Sequence, residues 1–312
     1  MREIAEHPLV DELRLNTIVP RNPRHSHYQA LETLLEACGD KPLLVDLKGR
    51  QLRITKYADP WLNFVDLSHE IEVETPCALY FRRGQATIRA VKGNKLMLTD
   101  CPEEVLGAGQ AVNILHPSLR IKGFLTEDDL GYREAAKALG IHKVALSFTE
   151  EASDITEYRE FDPDAEIWAK IESERGMELV ERSWDTLKKD AHIMIARGDL
   201  YDNAGEDRTR YLRWERTLLH HDPDAIMASR ILQSCEDSEV PSLEDLRELE
   251  YLFTAGVKTL MLADGVARKI TAFRRAMKAY EQFLHYWETD GHRIAEEFRL
   301  GVDGRGITPK VS

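Results

Sequence analysis

The chain has 312 residues, 43% hydrophobic and 31% charged, with a formal net charge of −13 at pH 7. That length holds one large α/β core of about 250 residues plus an insertion. Acidity of this size argues against general nucleic-acid or membrane-surface binding, and no apolar run reaches the roughly 18 residues of a membrane span.

In chain order, residues 2–10 are predicted as a short helix and Glu12–Val19 as a strand. The two prolines of Val19-Pro20-Arg21-Asn22-Pro23 mark a loop. Leu31, Leu34 and Leu35 recur at helical spacing within Tyr28–Cys38, Gly39 is a stop signal, and Pro42–Asp46 is a buried strand. Strand–helix–strand order implies a parallel sheet. From about Thr55 to Lys122 the pattern changes. Glu70–Glu74 and Ala86–Val91 alternate, Gly93-Asn94 is a turn and Lys95–Thr99 resumes the strand, so this stretch is a small antiparallel β insertion. Thr126 and Asp129 form a capping box opening a helix over 127–139, which Gly140 ends. Strands are expected at Lys143–Phe148, Ile167–Ile171, Ile193–Ala196, Asp224–Ala228 and Val257–Leu262. Helices are expected near 175–188, at Glu206–Leu219, at Ser242–Thr254, and from Ala267 to about Phe298. The tail Gly301–Ser312 is loose unless it pairs as a strand.

Cys38, Cys77, Cys101 and Cys235 are widely spaced and read as reduced structural thiols. The N-terminal residues lack the apolar region of a signal peptide, so a cytoplasmic location is expected. His25-Ser26-His27 in a loop reads as solvated rather than as a metal site. His220-His221-Asp222 reads as the end of a helix.

Two segments carry the chemistry. Glu166-Ile167-Trp168-Ala169-Lys170-Ile171-Glu172-Ser173 and His192-Ile193-Met194-Ile195-Ala196-Arg197-Gly198-Asp199-Leu200 are buried strands that run into charge. Lys170 and Glu172, two apart, project from one face of a strand. Charges ending an apolar run are costly unless paired or bound to a metal. Two carboxylates, a lysine and an arginine at neighbouring strand ends would suit a divalent cation and an anionic substrate. Ordinary solvated strand ends are the competing reading on spacing alone.

These segments resemble the pyruvate kinase family, which carries K-I-E on one barrel strand and A-R-G-D-L on the next. The resemblance is collinear over roughly residues 10–280. Leu13-Arg14-Leu15-Asn16 is similar to the family's R-L-N strand, and Asp46-Leu47-Lys48-Gly49-Arg50-Gln51-Leu52-Arg53 to its D-T-K-G-P-E-I-R strand. Leu125-Thr126-Glu127-Asp128-Asp129 resembles its L-T-E-K-D helix start, and Ala145-Leu146-Ser147-Phe148 its A-S-F strand. Ala225–Arg230 falls at its A-T-Q-M strand and Thr259–Ala263 at its M-L-S strand. The resemblance implies an α/β fold of the (β/α)8 TIM-barrel type at 1–56 and 121–300, with a reduced β lid at 57–120 and a tail at 301–312. The family's first strand and C-terminal regulatory domain have no counterpart. Seven family strands remain, and either the Ile307–Val311 tail or a partner copy is expected to fill the gap, so a homo-oligomer is expected.

The resemblance further implies residue roles. Glu172 and Asp199 would hold Mg2+ or Mn2+. Lys170 would neutralise charge on the transferring phosphoryl group or enolate. The backbone at Arg197, Gly198 and Asp199 would hold the substrate carboxylate, and Ser229 would stand near the enolate carbon. Arg14 and Arg53 would face phosphate. Asn16 and Asp46 match two ligands of a monovalent-cation site, but Ile18 replaces its serine, so a weaker K+ dependence is expected. Val19, the short lid and Ala263-Asp264-Gly265-Val266-Ala267 depart from the family on the ADP side, while the metal and enolate side is kept. The leading expectation is phosphoenolpyruvate/pyruvate chemistry with phosphoryl transfer to ADP. The alternatives are a nucleotide-independent lyase, aldolase or decarboxylase acting on a 2-oxo acid, and a non-catalytic small-anion sensor.

Overall fold

A computed structural model describes residues 2–19, 21–56, 63–81, 84–99 and 107–293. The 301–312 tail, the end of the helix expected to reach Phe298, Cys101 and parts of the β insertion lie outside the described residues. The chain divides into two compact units, Met1–Ala225 and Ile226–Ser312.

The first unit runs α1 (Arg2–Ala5), β1 (Leu13–Asn16), α2 (His27–Cys38) and β2 (Leu43–Leu47), then the strands of the insertion, β3 (Phe64–Asp66), β4 (Ile71–Glu72), β5 (Cys77–Tyr80), β6 (Gln85–Lys92), β7 (Lys95–Leu98) and β8 (Arg120–Ile121). It continues through α3 (Glu127–Ala138), β9 (Lys143–Leu146), α4 (Ala152–Phe161), β10 (Glu166–Ile171), α5 (Glu174–Leu187), β11 (His192–Ala196), α6 (Arg197–Asp202) and α7 (Arg210–His221). Strands β1, β2, β9, β10 and β11 lie side by side in that order, all parallel. Residues of β2 are buried throughout and those of β10 nearly so, as expected where helices cover both faces of a parallel sheet. Helix α5 shows how a face is buried: Met177, Val180, Trp184 and Leu187 recur every three or four residues and all are buried. Each such side chain contributes about 1.5–3 kcal/mol.

The insertion forms an antiparallel sheet in the order β3-β7-β6-β5, beside a β4–β8 pair. It has its own apolar core, including Ile54, Val65, Leu79, Ile88, Leu96 and Val112. Where the chain leaves for it, buried Arg50 pairs with buried Asp154 of α4 and stacks 4.9 Å from the Phe124 ring, where the chain returns. Gly49 beside it has φ +51, and a Cβ there would meet the Ser147 carbonyl oxygen at 2.1 Å, so only glycine fits.

The second unit contains β12 (Ile226–Ile231), α8 (Leu243–Thr254), β13 (Thr259–Leu262), α9 (Asp264–Arg268) and α10 (Ile270–Tyr286), with β12 and β13 parallel. Seven parallel-sheet strands therefore occur among the described residues, five in one unit and two in the other. The architecture is α/β with a parallel sheet. Among the described residues, no helix is long and apolar enough to cross a membrane.

Several boundaries differ from the sequence reading. The strand expected to reach Phe148 stops at Leu146, because Phe148 turns to φ +51. The helix expected from Glu206 begins at Arg210: the Asp207 carboxylate accepts the Thr209 N–H (3.1 Å) and hydroxyl (2.5 Å), holding a turn instead. The long helix expected from Ala267 is broken at Lys269, whose backbone is extended. The strand expected over Glu70–Glu74 keeps only Ile71 and Glu72. Helix α4 was not foreseen. Its capping box is built on Glu151 and Asp154, and glutamate is not among the favoured N-cap residues.

Candidate active site

Alternation along β10 and the residue following it gives Lys170 and Glu172 a common side, and both are buried, at 6% and 1% exposure. The Lys170 Nζ donates to Ser147 Oγ at 2.7 Å and lies 3.3 Å from each oxygen of Asp46 on β2. It also stands 3.2 Å from Glu172 Oε1. Arg14 on β1 approaches Asp46 Oδ2 from the other side, Nε at 2.7 Å and Nη2 at 2.6 Å. Thus four parallel strands, β1, β2, β9 and β10, deliver a charged or polar group to one place, directly or just past the strand end. Strand order brings together residues spread over some 160 positions.

Electrostatics explain why these charges survive burial. Burial alone would lower the pKa of Lys170, but the carboxylates of Asp46 and Glu172 override it, so its pKa is raised and it stays an ammonium. Burial would raise Asp46, but Lys170 and Arg14 outweigh it and hold the carboxyl below the ordinary range. Glu172 is different. Burial, aided by the negative charge of Asp199, pushes its carboxyl up to about 8 against the pull of Lys170. Its Oε2 accepts the Phe148 N–H at 2.7 Å, whereas its Oε1 is buried with no hydrogen-bond partner. The N–H that Glu172 receives comes from a non-glycine residue in the left-handed region, a strain that persists only where the surroundings enforce it.

Arg53 belongs to the same electrostatic field. Burial lowers its pKa, and the carboxylates of Asp199, Glu172 and Asp46 oppose the change. Its guanidinium donates to Gln51 Oε1 and to the Gly109 carbonyl, while Nε is buried without a partner. A buried acceptor and a buried donor, neither of them hydrogen-bonded, thus belong to one charge cluster. Asp199 opens the first turn of α6, so Arg197-Gly198-Asp199 is helix rather than the strand end expected. Asn203, at the end of α6, ties this turn to the β10 end: its Nδ2 donates to the carbonyls of Glu172 and Asp199, each at 2.9 Å. Arg197 is buried.

The cation that best fits the donor chemistry is a hard one. Glu172 Oε1 accepts no hydrogen bond and stands 3.2 Å from the Lys170 ammonium, and Asp199 supplies a second carboxylate within electrostatic reach. Among the described residues, no three His, Cys, Asp or Glu side chains form a ready metal cluster, so substrate and water oxygens would complete any shell here.

The family profile described as "Pyruvate kinase, barrel domain" matches residues 56–207, a range that holds the K-I-E and A-R-G-D-L segments. The pyruvate kinase of Thermoplasma acidophilum is 22% identical over 247 residues, covering 72% of this chain and 44% of that protein. That of Mycoplasma genitalium is 25% identical over 178 residues, covering 52% of this chain and 34% of that one.

The chain is similar to the pyruvate kinase family.

It spans between a third and just under half the length of these two pyruvate kinases. The crystal structure of pyruvate kinase from Pyrobaculum aerophilum superposes with a TM-score of 0.63 at 17% identity, over 86% of this chain and 67% of that one, a likeness of fold.

Of the residues singled out in the sequence, Arg14, Asp46, Lys170 and Glu172 are in direct contact as a chain of ion pairs, with Arg53 and Asp199 acting on them through charge. Asn16 Oδ1 accepts the Ile18 N–H at 3.1 Å, and Asp46 serves Arg14, Lys170 and Ser147. Ser229 lies on β12 in the second unit, with φ +65 at a break in strand register. His27 pairs with Asp128 (2.8 Å) rather than standing solvated. Asp222 ends α7 as expected and accepts the Ile193 N–H at 2.7 Å. Sequence reasoning passed over Ser147, although the motif that contains it had been matched, and Asn203, for which no sequence signal existed.

Proposed function

We propose that this protein is a metal-dependent enzyme of phosphoenolpyruvate and pyruvate, transferring a phosphoryl group through enolpyruvate in the manner of a pyruvate kinase. The observation that carries this reading is the buried ammonium of Lys170, held between Asp46 and Glu172, whose Oε1 faces Lys170 as an ion pair and accepts no hydrogen bond. An ammonium fixed in a dry site stabilises charge as it develops, without reorganisation during reaction. In this reading Glu172 and Asp199 hold Mg2+ or Mn2+, which when bound supplies Lewis-acid polarisation of the substrate oxygens. Lys170 faces the phosphoryl and enolate oxygens. Arg14 and Arg53 orient phosphate, the backbone at Arg197–Asp199 holds the carboxylate, and Ser229 serves protonation of the enol. The parallel strands then belong to a (β/α)8-type barrel, and the β insertion serves as its lid.

Exchange of the pyruvate methyl protons with deuterium reports enolisation directly. Exchange together with pyruvate formation from phosphoenolpyruvate and ADP supports the kinase. Exchange without nucleotide turnover redirects the reading to a lyase on a 2-oxo acid. No exchange, with tight oxalate binding, makes the protein a sensor. Lys170→Met is expected to abolish turnover with the fold retained, and unchanged turnover would refute its role.

A further inference from the structure

A cleft of about 1000 Å³ opens in the first unit between the returning segment of the β insertion, 112–121, and the segments following β9, β10 and α6. None of Arg14, Asp46, Arg53, Lys170, Glu172 or Asp199 lines it, so it is distinct from the site above. Asn203 and Phe148 are shared walls: the Asn203 amide holds the Glu172 and Asp199 carbonyls, and the Phe148 N–H donates to Glu172 Oε2.

The charges of this cleft do not cancel. Four glutamates and five arginines line it. Glu151 lies 3.6 Å from Arg50, Glu174 pairs with Arg210, and Glu178 lies 3.4 Å from Arg182. Glu150 accepts the Ser173 hydroxyl, and burial raises its pKa, which weakens its hold on a cation. Arg120 and Arg175 remain; among the described residues neither has a carboxylate within ion-pair distance, and Glu150 acts on Arg175 through charge alone. Instead both guanidiniums converge on the Leu119 carbonyl oxygen: Arg120 Nη1 donates to it at 2.8 Å, as well as to the Pro117 carbonyl at 3.2 Å, and Arg175 Nη2 donates to it too. Two like charges on one carbonyl repel each other, and in a chain of net charge −13 carboxylates to separate them are plentiful. Among the described residues both guanidiniums donate to backbone carbonyls and to no side chain.

We propose that this cleft binds a second small molecule through an oxyanion of two or more negative charges, a phosphate ester or a dicarboxylate, gripped by Arg120 and Arg175. Planar guanidiniums present paired donors that match either group, and the volume suits a ligand of metabolite size. Asn203, whose amide nitrogen is taken up by the Glu172 and Asp199 carbonyls, offers its side-chain oxygen to the rest of the molecule. Because Arg175 stands on α5, three residues past Glu172, and Arg120 on β8, the anion would join the parallel sheet-and-helix frame to the β insertion. The site does not depend on the reaction proposed above.

Calorimetric titration of the metal-free full chain with inorganic phosphate and with malonate tests this. Binding is expected for at least one probe, and the tighter of the two identifies the ligand class. Arg120→Gln and Arg175→Gln should each weaken it about tenfold, with unchanged circular dichroism, and Lys170→Met should leave it in place. Arg120 is exposed, so its variant keeps the test valid should Arg175→Gln fail to fold. The proposal is overturned if neither probe binds at millimolar concentration, if Arg120→Gln binds as the wild type does, or if Lys170→Met alone removes all binding.

Discussion

Replacing Lys170 with methionine should cost stability in a way that depends on pH, and the site's ion pairs set the size of the effect. In the wild type the Glu172 carboxyl titrates near 8 when folded and 4.5 without the protein around it. Between those values the folded chain holds a proton that the unfolded chain has released, so stability falls by about 1.4 kcal/mol per pH unit and levels off above about 8. Lys170 is the main group holding that carboxyl down. Without it the pKa rises further, and the decline continues past pH 8 in the variant. Below pH 7 Glu172 is neutral in both proteins. The variant then loses only the Lys170 bonds to Asp46 and Ser147, with Arg14 still on Asp46, a cost of about 1–2 kcal/mol. At pH 9.5 the cost should reach about 3–4 kcal/mol, in the range for breaking a buried pair. Lys170 itself, with its pKa raised, stays charged over this window. Urea denaturation of both proteins in EDTA at pH 6.5, 8 and 9.5 measures the difference. A penalty that is constant or shrinks with rising pH would refute the electrostatic account of the site.

The same reasoning gives Glu172→Gln the opposite profile: the fall in stability between pH 5 and 8 should flatten, while Mn2+ affinity, followed by paramagnetic resonance, drops about tenfold or more. Asp154→Ala should cost about 3–5 kcal/mol, read as a lower denaturation midpoint, because it strands buried Arg50 and frees the N–H groups of Glu150 and Glu151; a cost below about 1 kcal/mol would show that the Arg50 pair contributes little. Thr126→Ala removes the cap of α3, which Asp129 reciprocates, and should cost about 1 kcal/mol by the same measurement.

Much of this protein was legible before any coordinates, wherever the signal was local. The box of Thr126 and Asp129 opens α3 where the sequence placed it, and the apolar run before Arg197 is β11. Lys170 and Glu172 shared a side because strand alternation requires it. These features depend on residues only a few positions apart, where backbone geometry leaves few choices.

Tertiary structure decided the rest. No local rule links Asp46 to Lys170 across 124 positions; the parallel order β2-β9-β10 does. Burial, with the negative charge of Asp199, pushes the Glu172 carboxyl up to about 8, because desolvation depends on everything packed around it. The left-handed Phe148, the reach of Asn203 to two carbonyls and the convergence of Arg120 and Arg175 on one oxygen arise in the same way. The sequence set which charges the chain carries and on which faces of its strands and helices they stand. Their partners, and hence their protonation, were set by contacts between segments far apart in the chain.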